Sequence, residues 1–169
     1  MPSDDHPGLA EDVGGADLDR LVEVALPAVR AIVAVAVRSL DASPVPVTLA
    51  QYRVLVIMGQ QGPTRAATLA TLLGVDASTV TRMCDRLVRD GLVIRGGERT
   101  DRRAVRVVLS PTGKDVVDRV MARRREEFGA LLRAIPGTRR AGVVAALREI
   151  DTASGAAAVV PPAVLGWIA

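Results

Sequence analysis

The sequence predicts a mainly α-helical chain interrupted by one β-hairpin, in the order α-α-α-α-β-β-α-α. Three observations carry this. Apolar residues recur at three- and four-residue spacing from Leu18 to Val37, from Val80 to Val88 and from Val117 to Ile135, the period of helices with a buried face. Two short apolar runs, Leu92 to Ile94 and Ala104 to Leu109, flank a tip holding Arg95, Arg99, Arg102 and Arg103, as the arms of a hairpin do. Helix-ending and helix-starting residues punctuate the periodic stretches: Gly74, Gly91, Ser110 before Pro111, and Pro136-Gly137.

Taken in order, residues 1–16 mix Pro, Gly and Asp with little periodicity and are expected to form a flexible acidic tail. Residues 17–47 are expected to hold a long helix, capped by Asp17 and kinked by Pro27, and a proline-rich connector. That helix is apolar around most of its girth, so it needs more than one packing partner, most simply a second subunit. Residues 48–110 form the next unit. Thr48 and Gln51 match a capping box opening a helix through Tyr52, Val54, Leu55, Ile57 and Met58. Pro63-Thr64 is expected to begin a third helix, with Ala66, Leu69, Ala70 and Leu73 inward. Gly74-Val75-Asp76 then makes a turn into a fourth helix, capped by Asp76 or Ser78. Two short helices about a tight turn make a helix-turn-helix, and a basic hairpin after them completes a winged helix-turn-helix. Residues 111–152 are expected to hold two more helices, the first with Val117, Met121, Phe128, Leu132 and Ile135 near one face and the second capped by Thr138. Residues 153–169 carry no charged side chain and form an apolar tail, expected to pack on its own domain or on a partner subunit.

Charge is distributed unevenly. The formal net charge is only +3, yet residues 82–125 carry twelve Arg and one Lys against six acids, while residues 1–19 hold acids and no Lys or Arg. That asymmetry suits a polyanion-binding surface with an acidic segment elsewhere, although solvated helix faces give the same composition. A single cysteine excludes an internal disulfide and a cysteine-based zinc site, and suits a reducing compartment. With His6 as the only histidine, neither a metal site nor a histidine relay has material, and no catalytic constellation is visible. No cofactor, metal or enzymatic activity is therefore expected. The longest apolar run, Ala31 to Val37, falls far short of the roughly 20 residues that span a bilayer, and the acidic N-terminus shows no secretory pattern. A soluble, cytoplasmic protein without membrane contact is expected.

Over residues 17–152 the sequence resembles the MarR family of bacterial transcription regulators. The resemblance rests on Leu49-Ala-Gln-Tyr-Arg-Val-Leu55, Thr81-Arg-Met-Cys-Asp-Arg-Leu87 followed by Gly91-Leu-Val93, Asp101-Arg-Arg103, and Leu109-Ser-Pro-Thr-Gly113, in that order and spacing. It implies an obligate homodimer with the first and last two helices of each chain interleaved. It also implies recognition helices in successive major grooves of a pseudo-palindromic site, roughly 34–36 Å apart, with wing tips in flanking minor grooves.

Within that frame Ser78, Thr79, Thr81, Arg82 and Arg86 stand on the outward side of the recognition helix, where base edges and phosphates are reachable, and Arg82 is the first choice. Arg103 matches the family's wing-tip arginine, which gains from the negative potential of a narrow minor groove. Asp101 resembles the wing acid that orients a neighbouring arginine. Arg99, Arg102 and Arg106 are candidate phosphate contacts or, equally, solvated hairpin charges. Cys84 lies on the apolar stripe between Val80 and Val88, so it is expected to pack rather than to sense oxidants. By position in the family, Arg30, Val33, Val37, Tyr52 and Val56 are candidates to line an effector pocket for an aromatic or anionic small molecule; the apolar members fit ordinary core as well. The expected function is a sequence-specific, double-stranded DNA-binding regulator, a homodimeric repressor relieved by a ligand. The alternative is a winged-helix protein-interaction or assembly module without specific DNA binding.

Overall fold

The computed structural model describes residues 9–97 and 105–157. Helix α1 spans Leu9–Arg38 and passes through a 3-10 turn, Ser39–Ala42, into the connector. Then come α2 (Leu49–Gln61), β1 (Thr64–Arg65), α3 (Ala66–Leu73), α4 (Ala77–Arg89), β2 (Val93–Gly97), β3 (Val105–Leu109), α5 (Pro111–Ala134) and α6 (Gly137–Ala157). The fold is mainly α with a small antiparallel sheet, a winged helix-turn-helix flanked by long helices.

The head is built around α2. Tyr52, Val54, Leu55, Val56, Ile57 and Met58 are all buried, so this helix is enclosed on nearly every side and shows little amphipathic bias. The expected capping box is present: the Gln51 amide N–H donates to Thr48 Oγ1 at 3.2 Å, and the Thr48 N–H donates to Gln51 Oε1 at 2.8 Å. Leu69 of α3, Val80, Cys84 and Leu87 of α4, Val93 and Val107 of the sheet, and Val116 and Val120 of α5 close around it.

The sheet has a third strand that the hydrophobic pattern does not show. Order is β1-β3-β2, with Thr64 opposite Val107 and Arg65 opposite Arg106. Pro63-Thr64 therefore does not begin α3, as expected; Thr64 pairs with β3 and the extended Arg65 precedes the helix. A strand of two residues has no periodicity to read, and pairing to an existing hairpin edge decides its conformation. The hairpin itself matches the expectation, with Val93 opposite Leu109 through to Gly97 opposite Val105.

Helices α3 and α4 both end on a glycine with positive φ, Gly74 at 66° and Gly91 at 72°. The next amide folds back in each: Val75 N–H reaches the Ala70 carbonyl (3.1 Å) and Leu92 N–H the Leu87 carbonyl (2.9 Å). Asp76 occupies the N-cap of α4, but its side chain makes no capping bond, and Ser78 lies inside the helix.

Helix boundaries differ at both ends of the chain. Helix α1 begins at Leu9, within the stretch expected as a tail. Helix α6 runs past Thr152 to Ala157 and starts one residue before Thr138, with the Arg139 N–H bonded to the Pro136 carbonyl at 2.9 Å. The remainder of the apolar tail lies outside the described residues. On α5 the inward face is Gly113, Val116, Val120, Met121 and Arg124 rather than the expected stripe ending at Leu132 and Ile135; Leu132 is exposed. A helix whose first half packs on the head and whose second half leaves it has no single periodic face.

The long helices present apolar surface to solvent. Leu18, Leu21, Val22, Val24, Leu26, Val29, Val33 and Val37 of α1 are exposed, as are Leu131 and Leu132 of α5 and Val144, Leu147 and Ile150 of α6. Near its C-terminal end α1 turns Val35 and Ala36 inward, and Ser39 of the following 3-10 turn is buried with them.

Ser110 ties the hairpin to α5. Its Oγ accepts from the Gly113 N–H (2.9 Å) and donates to the Gly91 carbonyl (2.6 Å), while its own N–H donates to the Leu92 carbonyl (3.0 Å). Gly113 sits against that carbonyl so closely that a Cβ would overlap the Leu92 oxygen. Gly113→Ala is expected to destabilise the protein by about 1–3 kcal/mol in urea unfolding, because backbone cannot yield as a side chain does. Ser110→Ala is expected to cost about 1–2 kcal/mol. Stability unchanged in both would contradict this junction.

Candidate nucleic-acid interface

Helix α4 separates two chemistries cleanly. Val80, Cys84 and Leu87 are buried, whereas Ser78, Thr79, Thr81, Arg82 and Arg86 are exposed, as is Arg89. The apolar spacing that anchors the helix thus fixes which side chains face solvent. Thr81 Oγ1 donates to the Ala77 carbonyl (2.8 Å), and Arg82 Nε donates to the Ser78 carbonyl (3.3 Å), so the Arg82 side chain lies back along the helix toward its N-terminus. The three guanidiniums of Arg82, Arg86 and Arg89 share a groove of about 430 Å³ with Thr48 and Gln51 at the start of α2. Arg89 falls on the same exposed side of the helix as Arg82 and Arg86, as its spacing from them predicts.

Asp85 pairs with Arg95 of β2, which locks the base of the hairpin to the recognition helix. Both partners are substantially exposed, so the pair contributes at most about 1 kcal/mol to stability and acts mainly on orientation. Arg106 is half-buried in β3 opposite Gly96 and Arg65, one pair from the segment that joins β2 to β3. Arg99, Asp101, Arg102 and Arg103 lie outside the described residues, in the segment that joins β2 to β3.

Cys84 is 3% exposed, and burial pushes its thiol pKa up, with Asp85 adding to the rise and Arg95 opposing it. A raised pKa disfavours the reactive thiolate, which accords with a packing role. Among the described residues no cluster of His, Cys, Asp and Glu could hold a metal ion, and no helix is long and apolar enough to cross a membrane.

The five residues expected to line an effector pocket are not brought together. Tyr52 and Val56 are buried, whereas Arg30, Val33 and Val37 are exposed on α1. The reason is the rotation of α1: its buried residues are Val35 and Ala36, which turns Val33 and Val37 outward. Val56 instead borders a cleft of about 670 Å³ between α2, β3 and the start of α5, with Met58, Val108, Leu109, Val117, Lys114 and Asp118 among its walls.

One functional-looking residue gave no sequence signal. Arg124 of α5 is 3% exposed, and its guanidinium lies 5.1 Å from the centre of the Tyr52 ring. Its Nε donates to Ser39 Oγ (3.2 Å) and its Nη2 to the Ala36 carbonyl (3.3 Å). Burial pulls its pKa below the usual arginine value, and Tyr52 opposes that; the Tyr52 hydroxyl pKa is raised by burial. In sequence Arg124 stands in an Arg-Arg-Arg run that looks like solvated charge.

Comparison with known proteins agrees with this architecture. The model of the MarR family matches residues 47–105. Over 86 residues the chain is 33% identical to the multiple antibiotic resistance protein MarR of Salmonella typhimurium, covering 51% of this chain and 60% of that one. Over 78 residues it is 30% identical to the uncharacterised HTH-type transcriptional regulator YpoP of Bacillus subtilis, covering 46% and 55%. The chain therefore spans a little over half the length of these curated relatives. The crystal structure of RV1404 from Mycobacterium tuberculosis superposes with a TM-score of 0.75 at 34% identity, covering 91% of this chain and 99% of that one. On the match through the reading head and the structural likeness along nearly its whole length, the chain belongs to the MarR family of transcription regulators.

Proposed function

We propose that the chain is a sequence-specific, double-stranded DNA-binding repressor that acts as a homodimer on a pseudo-palindromic operator and is released by a small-molecule effector. MarR-family regulators bind DNA and are transcription factors rather than enzymes. The observation that carries the reading is the exposed face of α4, where Ser78, Thr79, Thr81, Arg82 and Arg86 stand opposite a fully buried stripe. Hydroxyls and guanidiniums at the start of a helix can reach base edges, and Arg86 and Arg89 can neutralise phosphates beside them. In this reading Arg103 enters the minor groove, Arg99 and Arg102 meet phosphates, and Asp101 orients a neighbouring arginine.

The homodimer is supported by the exposed apolar residues of α1, α5 and α6, a continuous demand for burial that one chain leaves unmet. Two copies paired through them would carry two reading heads related by a two-fold axis, which is what a palindrome requires. For the effector, the cleft of about 670 Å³ is of ligand size and mainly apolar, with Lys114 placed for an anionic group. It adjoins both the hairpin and α5, so an occupant that fits one pose of the head better than another would shift DNA affinity. A cytoplasmic location goes with this role.

Binding to duplexes selected from random sequence, titrated with salt, tests the DNA reading. Specific affinity should fall steeply with salt, and Arg82→Ala should weaken it by about 10- to 100-fold with a smaller effect on random duplex. Arg103→Ala should weaken it by about tenfold. Equal affinity for every duplex at every salt would overturn the regulator. Sedimentation at micromolar concentration should show a dimer, and Val24→Arg together with Val33→Arg should yield monomer; a monomeric unaltered chain would remove the two-fold model.

A further inference from the structure

We propose that Arg124 is a positioning residue for DNA reading, one that sets the operator spacing the dimer accepts. The inference rests on the dimeric DNA-binding reading above. Three segments meet at this side chain. Its own helix, α5, packs on the head up to Met121 and presents exposed Leu131 and Leu132 beyond it. Ala36 belongs to the end of α1, whose preceding turns are exposed and apolar, and Ser39 to the 3-10 turn that continues it. Tyr52 belongs to α2, the hub of the head. Arg124 thus stands where the reading head joins the helices that carry the apolar surface.

Its chemistry suits that place. Apolar side chains can slide past one another with small loss, but hydrogen bonds fail steeply with distance and angle. Ser39 Oγ accepts from Arg124 and donates to the Ala36 carbonyl at 2.8 Å, so α1 is bonded at two adjoining points with fixed geometry. The planar guanidinium also lies over the Tyr52 ring, which fixes its orientation toward the head. A second tie runs outside the first: Glu127 accepts from Arg38 of α1 and from Arg123 of α5, each at 3.0 Å. The buried bonds are the less screened of the two. A small rotation of α1 against the head would move the partner's recognition helix by a distance multiplied along the long helices. Holding that angle therefore holds the half-site separation.

The test uses the full-length protein and operators whose half-site spacing is shortened or lengthened by one base pair. The variants are Arg124→Met, which keeps length without the bonds, Ser39→Ala, which removes one acceptor, and Arg124→Lys. The unaltered protein should prefer one spacing by about tenfold or more. Arg124→Met should flatten that preference to about twofold while leaving dimerisation and random-duplex affinity unchanged. Ser39→Ala should flatten it partly, and Arg124→Lys should restore part of it. Ser39→Ala carries the test if Arg124→Met does not fold. A spacing profile in Ser39→Ala and Arg124→Met identical to the unaltered profile would overturn the positioning role and leave the regulator standing. Affinity lost equally at all spacings would likewise assign Arg124 to stability alone. No spacing preference or specific binding in the unaltered protein would overturn both readings.

Discussion

The enclosure of α2 is the constraint from which the rest of the molecule follows. A helix with Tyr52 and every residue from Val54 to Met58 buried must be covered from several directions at once. The chain does so by turning α3 and α4 over one side, laying β3 on another and returning α5 along a third. Where these elements cover α2, each turns an apolar stripe inward. For α4 the remaining face is the row from Ser78 to Arg89. The polar face of α4 is thus a by-product of how the core closes: which of its residues meet solvent is decided by Val80, Cys84 and Leu87.

The hairpin is held to this arrangement by polar joints of differing strength. The Ser110 hydroxyl joins the end of α4 to the start of α5 by bonding both the Gly91 carbonyl and the Gly113 amide, in a buried setting where loss of either bond leaves an unpaired group. The Asp85–Arg95 pair is exposed and weaker, and it links the hairpin laterally to the recognition helix. The described strands of the hairpin are therefore joined to α5 at one end through Ser110 and to α4 from the side through Asp85.

How much of this the sequence disclosed follows from the periodicity of each element. Helix α4 was legible because its buried and exposed residues alternate with a clear 3.6-residue period, and Thr48 with Gln51 announced α2 through a local bond that depends on nothing distant. The rotation of α1 was not legible. With apolar residues on every side, Val33 and Val37 are as suitable for the interior as Val35 and Ala36, and only packing against α5 and the connector decides between them. Within one chain Arg30, Val33 and Val37 are for that reason exposed while Tyr52 and Val56 are buried. Strand β1 was hidden because two residues carry no period, and Arg124 because a buried arginine and a solvated one are spelled alike. What sequence withholds here is tertiary: partners far apart in the chain that bring no local mark.

That difference bears on how such a regulator can be tuned. Apolar packing sets the fold and tolerates substitution of one aliphatic side chain by another, so the core can drift without moving the reading face. The angle between head and long helices is another matter, since a dimer multiplies any error in it across two half-sites. Confining that angle to a buried arginine, a serine, a carbonyl and an aromatic ring places it under directional bonds instead of volume. A ligand in the cleft beside Val117 and Lys114 would press on α5 within the same helix that holds Arg124. Displacement of α5 by a fraction of an ångström would be absorbed by the aliphatic contacts but not by the 3.2 and 3.3 Å bonds, so the polar joint is where a small local change is converted into a change of pose. In the proposed dimer, the stiffness that would set its spacing and the route by which an effector would release it are then properties of one junction.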